Sequence, residues 1–151
     1  MSIKLGLDAK LYRNTGNPGS SLWQLVSNVR DVTLNLETGE ADVTTRGNVG
    51  WRATAGTLKD ASIEFEMVWD TEDYHFVAFK DAFFGGSPVE LLVMDDDASV
   101  AGSQGLQALC QIINFTRSEA LEEAVAVSVT AKPTYSGSPP SWAVGPIEFD
   151  A

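Results

Sequence analysis

The feature that most limits the fold of this chain is alternation. Ile63, Phe65, Met67 and Trp69 occupy every second position, with Ser62, Glu64, Glu66 and Val68 between them. An extended chain turns successive side chains to opposite faces, so this stretch reads as a strand with one apolar face. Val32, Leu34 and Leu36 alternate in the same way with Asp31, Thr33, Asn35 and Glu37. Val125, Val127 and Val129 mark another strand within 124–130. Residues 5–13 alternate as well and stop at the turn formers of 14–21, after which 22–26 resumes as a short strand. Val89–Met94 reads as a more fully buried strand, and Leu106–Thr116 as a long one. A single helix is expected at about residues 71–84. Asp70 or Thr71 can cap it, Glu72 and Asp73 suit its positive end, and Gly85-Gly86 ends it. Phe76, Phe79 and Phe83 then share one face. The fold class these elements predict is mainly β, an antiparallel β-sandwich or barrel with one flanking α-helix.

Two segments break the rhythm. Residues 38–60 carry Gly39, Gly47, Gly50 and Gly56, with Trp51 as the one large side chain beside Arg52. Structureless loops longer than about 12–15 residues are uncommon in compact domains. The segment is therefore either an extra hairpin or an arm that orders on meeting a partner. From about residue 133 the chain is rich in Pro, Gly and Ser, with Trp142 as its heavy anchor, and reads as an extended C-terminal arm. With 151 residues, 44% of them hydrophobic, the expected organisation is one domain over 1–151 carrying these two arms.

Charge and side-chain chemistry exclude more than they assign. Ten Lys plus Arg against 21 Asp plus Glu leave a net charge of -11, which repels phosphate backbones and anionic membranes and argues against tight DNA binding. No run approaches the roughly 18 apolar residues of a membrane span. The first residues break their apolar stretch too early for a secretory signal. His75 is the one histidine and lies near the edge of the helix's apolar face, where it reads as a surface or boundary residue. Cys110 sits among Leu109, Ile112 and Ile113 as a small buried hydrophobe. Asp95-Asp96-Asp97 lacks the alternate acids, glycine and distal glutamate of a calcium loop and reads as a solvated turn. Glu64 and Glu66 project from one strand face about 7 Å apart, a separation open to carboxylate hydrolysis, although no aromatic platform accompanies them. No catalytic residue, metal ligand or cofactor is expected. A carbohydrate-binding β-sandwich is a further alternative, given four Trp residues and an Asp-rich loop.

Four blocks in order resemble a bacteriophage tail tube protein. They are Leu5–Tyr12; Val29–Leu34 running into Glu40–Arg46; Ile63–Met67 ahead of the helix; and Leu121–Val125 leading into Val127–Thr134. The resemblance is to the major tail protein of long-tailed phages, a relative of the tubes of contractile injection and secretion systems. It implies a structural subunit that closes into hexameric rings. The rings stack into a hollow tube that conducts DNA during ejection, within a virion tail made in the bacterial host cytoplasm. It also implies tail-tip or baseplate, tape-measure and tail-terminator proteins as partners, transient non-specific passage of DNA, and no membrane insertion by this chain. On that reading Asp42, Arg46, Trp51 and Arg52 belong to the inter-ring contact. Asp31, Glu37, Glu64 and Glu66 are the candidate acids facing the lumen.

Overall fold

Alternating apolar residues need a common partner surface, and in this chain eight strands and one helix supply it to one another. The structure, a computed structural model, describes residues 3, 5–6, 9–15, 22–134 and 139–147. Its strands are β1 (Lys10–Asn14), β2 (Trp23–Leu25), β3 (Val29–Asp42), β4 (Thr54–Val68), β5 (Val89–Met94), β6 (Gln104–Ser118), β7 (Ala126–Pro133) and β8 (Ser141–Val144). The helix α1 (Tyr74–Gly85) joins β4 to β5. All pairings are antiparallel, in the order β2-β1-β5-β6-β7-β4-β3, and β8 pairs with β6.

The sheet curls around one main core. Ile63, Phe65 and Met67 of β4 meet Val127, Val129 and Ala131 of β7, with Leu91 of β5 and Cys110 and Ile112 of β6. Phe76 and Phe79 of α1 close it; the Phe79 ring lies 5.2 Å from Phe65, and Phe76 4.8 Å from Trp69. A second cluster of Tyr12, Trp23, Leu92, Met94, Ala98 and Ala143 packs on the other face of β1 and β5. Leu91 and Leu92 thus serve different clusters, which explains the near-continuous apolar run of β5. Gly105 is required where β6 passes β5, because a Cβ there would lie 1.6 Å from the Val93 carbonyl oxygen.

Several expected boundaries shift. β1 begins at Lys10 rather than at residue 5; the Ala9 amide turns back onto the Gly6 carbonyl, and residues 7–8 lie outside the described chain. The helix starts at Tyr74 and not near 71, because the Asp73 carboxylate accepts the amides of His75 and Phe76 while Asp73 itself stays extended. Residues 38–60 form the distal half of a long β3–β4 hairpin. Within the C-terminal stretch, 139–147 returns to the sheet as β8 instead of running free, and 135–138 and 148–151 are not among the described residues.

Candidate assembly surfaces: an exposed arm and a polar sheet face

The hairpin arm is built by local hydrogen bonds and buries no side chain. Thr38 pairs with Lys59 and Asp42 with Thr54 along it, and between residues 36 and 60 every position is exposed or only partly covered. The ladder shifts register between Thr38 and Glu40, at Gly39. Beyond Asp42, Thr44 Oγ1 bridges the strands by accepting the Ala53 amide and donating to the Ala53 carbonyl. The tip is one 3-10 turn, Arg46–Asn48, in which the side chains of Thr45 and Asn48 cap each other's backbone amides. Val49 and Gly50 then take left-handed conformations that reverse the chain.

This geometry separates the four expected contact residues. The Asp42 carboxylate works inside the arm, accepting the Thr44 amide at 2.9 Å; bonds from Thr44 hold it below its ordinary pKa. Arg46, Trp51 and Arg52 are displayed to solvent, and among the described residues no ion pair involves either arginine. Trp51 is 80% exposed, Val49 85% and Leu58 84%. A two-stranded ribbon with no core behind it and an aromatic at its tip has the character of an unsatisfied interface.

The second surface is the side of the sheet remote from α1. Thr33 of β3, Glu64 of β4, Thr130 of β7 and Asn114 of β6 form one transverse row. Glu66, Ser128 and Thr116 form the next. Glu64 and Glu66 therefore share a broad face of hydroxyls and amides. Asn35 Nδ2 donates to Ser62 Oγ at 3.2 Å and to Glu64 Oε2 at 3.5 Å. Glu66 accepts from Arg30 Nη2 at 2.8 Å, and that bond raises the Arg30 pKa. Glu37 follows Thr33 and Asn35 by alternation onto the same side, beside Asp60 and Lys132. Asp31 departs from the expected pattern. It lies in an irregularity between the paired Arg30 and Thr33, with φ of 54°, so its position does not follow from strand alternation.

Other polar groups are engaged in holding the fold. Asp95 Oδ1 accepts the Gln104 amide, and Asp97 Oδ1 accepts both the amide and hydroxyl of Ser99. Among the described residues no group of His, Cys, Asp and Glu could hold a metal ion. Burial pushes the Cys110 thiol up to about 12, so it is inert. His75 corrects its sequence reading: it is only 8% exposed, and its Nδ1 accepts from Arg13 Nε at 3.0 Å. The Arg13–His75 contact joins β1 to α1, and no sequence spacing announces it.

The backbone arrangement has close counterparts among solved structures. The tail of an empty gene transfer agent particle, solved with C6 symmetry, superposes with a TM-score of 0.69 at 18% identity, covering 95% of this chain and 100% of that one. The SPP1 tail tube gives a TM-score of 0.71 at 16% identity over 98% of this chain and 81% of that chain. This chain has the tail-tube fold. A chain of the anti-feeding prophage baseplate matches more loosely, with a TM-score of 0.57 and 8% identity over 90% of this chain and 91% of that one. No family model matches the sequence, and no curated protein does. No helix among the described residues is long and apolar enough to cross a membrane.

Proposed function

We propose that this chain is the structural subunit of a phage tail tube. Copies close into hexameric rings, and the rings stack into a hollow conduit for DNA. The observation that carries the reading is the arm. A hairpin that buries nothing of its own yet displays Trp51 and two arginines is built for contact with another subunit. The chain acts as one tail-tube-like unit, and Arg46, Trp51 and Arg52 touch the neighbouring ring while Asp42 shapes the arm that presents them.

The open sheet face supplies the lumen wall. Glu37, Glu64 and Glu66 line it among Ser, Thr and Asn side chains, and Asp31 stands at its margin. Such a wall offers hydrogen-bonding groups to water and little positive charge, so DNA slides past without the counterion-releasing contacts that would hold it. Tail-tip or baseplate, tape-measure and tail-terminator proteins are the partners this role requires. The tube subunit of a contractile injection or secretion system is the alternative reading of the same fold.

Replacing Trp51 by Ala tests the reading. The variant should keep the far-UV spectrum and melting temperature of the parent, because Trp51 has no core contacts, and should fail to extend into tubes under the electron microscope. Normal tubes from folded Trp51→Ala protein would refute the arm's role.

A further inference from the structure

The β3–β4 hairpin consists of two stretches that are held by different forces, and the ladder breaks between them. Ala61 is the last buried residue of β4 toward the arm, and Leu34 the last half-buried residue of β3. Up to that level both strands are fixed to the core. Beyond it no side chain is buried, and a two-stranded ribbon alone is marginally stable in water. The break lies at a definite rung. Thr38 pairs with Lys59 and Glu40 with Gly56, so Gly39 faces both Thr57 and Leu58. The extra residue on β4 interrupts the ladder and lets the strand bend and twist.

Glycine is placed at this rung on both strands. β3 and β4 contain one glycine each, Gly39 and Gly56, and the pairing brings the two to neighbouring rungs at the bulge. Neither has a left-handed φ, so neither is there to reverse the chain. A Cβ on Gly39 would lie 2.5 Å from Thr57 Oγ1, so the bulge closes over a missing side chain. A Cβ on Gly56 would meet only Thr38 Cγ2, at 3.2 Å. Both positions give up cross-strand side-chain contact and leave the backbone its greatest freedom. Above the bulge the ribbon is coherent again. Ala41 pairs with Ala55 and Asp42 with Thr54, Thr44 bonds Ala53 in both directions, and the tip is capped.

We infer that this bulge is a pivot, on which the arm turns as one ribbon while the sheet below it stays fixed. The pivot is a property of the single subunit, whereas its use in a tube rests on the arm reading above. There it lets the arm change its angle without unpacking the core or altering the tip, so a tube can curve with its subunits intact.

Deleting Leu58 isolates the bulge. Leu58 is 84% exposed, and its removal leaves Thr57 alone opposite Gly39 with every other pair unchanged. Spin labels on Val49→Cys at the tip and Ser128→Cys on the sheet report the direction of the arm in dilute full-length protein, since native Cys110 is buried and inert. A second label pair, Glu40→Cys with Val49→Cys, lies wholly above the bulge. The tip-to-sheet distance distribution should be broad in the parent and at least about twofold narrower without Leu58, while the pair within the arm stays narrow in both. Gly56→Val keeps the bulge but adds a side chain at the next rung and should narrow the distribution too, which covers a deletion that fails to fold. A tip-to-sheet distribution already narrow in the parent, or one that Gly56→Val leaves equally broad, would overturn the pivot. A broad distribution within the arm would do the same, because the ribbon then frays instead of turning. Tubes of Gly56→Val should curve less than the parent's under the electron microscope, and parental curvature would overturn the pivot's use in the tube. Normal tubes from Trp51→Ala would overturn the arm reading and leave the single-subunit distributions as they are.

Discussion

Arg13 and His75 meet across 62 residues of sequence, and their contact ties a buried cation to a neutral imidazole. Burial, reinforced by the Arg13 charge, holds His75 below its ordinary pKa of 6.5; Asp73 and the Leu25 carbonyl act the other way. The unfolded chain therefore takes up a proton on acidification that the folded chain resists. Stability from this source is full above pH 6.5 and is lost as pH falls from there toward the depressed folded value. Urea midpoints should fall between pH 7.5 and 5.5 in the parent and fall less in His75→Gln, which keeps an acceptor but cannot titrate. Equal falls in both proteins would show that His75 does not carry the effect. His75→Ala leaves the buried guanidinium without its acceptor and should cost about 3 kcal/mol in urea unfolding at neutral pH. Phe79, fully buried between α1 and Phe65, should cost about 4 kcal/mol when cut to Ala.

At the scale of elements, β6 shows what a sequence pattern hides. A register shift between Ile112 and Asn114 leaves Ile113 as an extra residue and moves the inward positions from even to odd numbers. Cys110 and Ile112 face the core before the bulge and Phe115 after it, where its ring lies 5.9 Å from Phe76. Inserting one Ala between Asn114 and Phe115 would turn Phe115 and Arg117 outward, and the resulting protein should be destabilised by roughly 3 kcal/mol or more in urea unfolding. The β4 and β7 alternations were legible because each strand keeps one period and buries one face. The bulge was not, since it depends on which carbonyls β7 offers. The β3–β4 arm was only half legible: glycines marked 38–60 as irregular, but the pairing that makes it a hairpin is fixed across strands. Arg46, Trp51 and Arg52 were picked out as contact candidates by their chemistry, and the fold leaves all three exposed. Replacing residues 43–53 with Asn-Gly should leave the melting temperature within about 4 °C, a shift worth about 1 kcal/mol for a domain of this size. Sedimentation should then find no assembly.

For the whole molecule, a net charge of -11 opposes its own association. Raising salt from about 20 to 200 mM shortens the Debye length from roughly 20 to 7 Å and should promote ring and tube formation, measured by light scattering. The same charge predicts no retention of double-stranded DNA at physiological salt in a filter-binding assay. In the proposed function, the uncovered arm and the open polar face are the surfaces that other copies of the chain complete. Electron cryomicroscopy of the purified protein over a range of concentrations, with and without isolated tail-tip complexes, tests that function most directly. The expected particles are stacked sixfold rings around a hole lined by Glu64 and Glu66, with the β3–β4 arm reaching the next ring. Particles that stay monomeric at every concentration and do not extend on tail tips would contradict it.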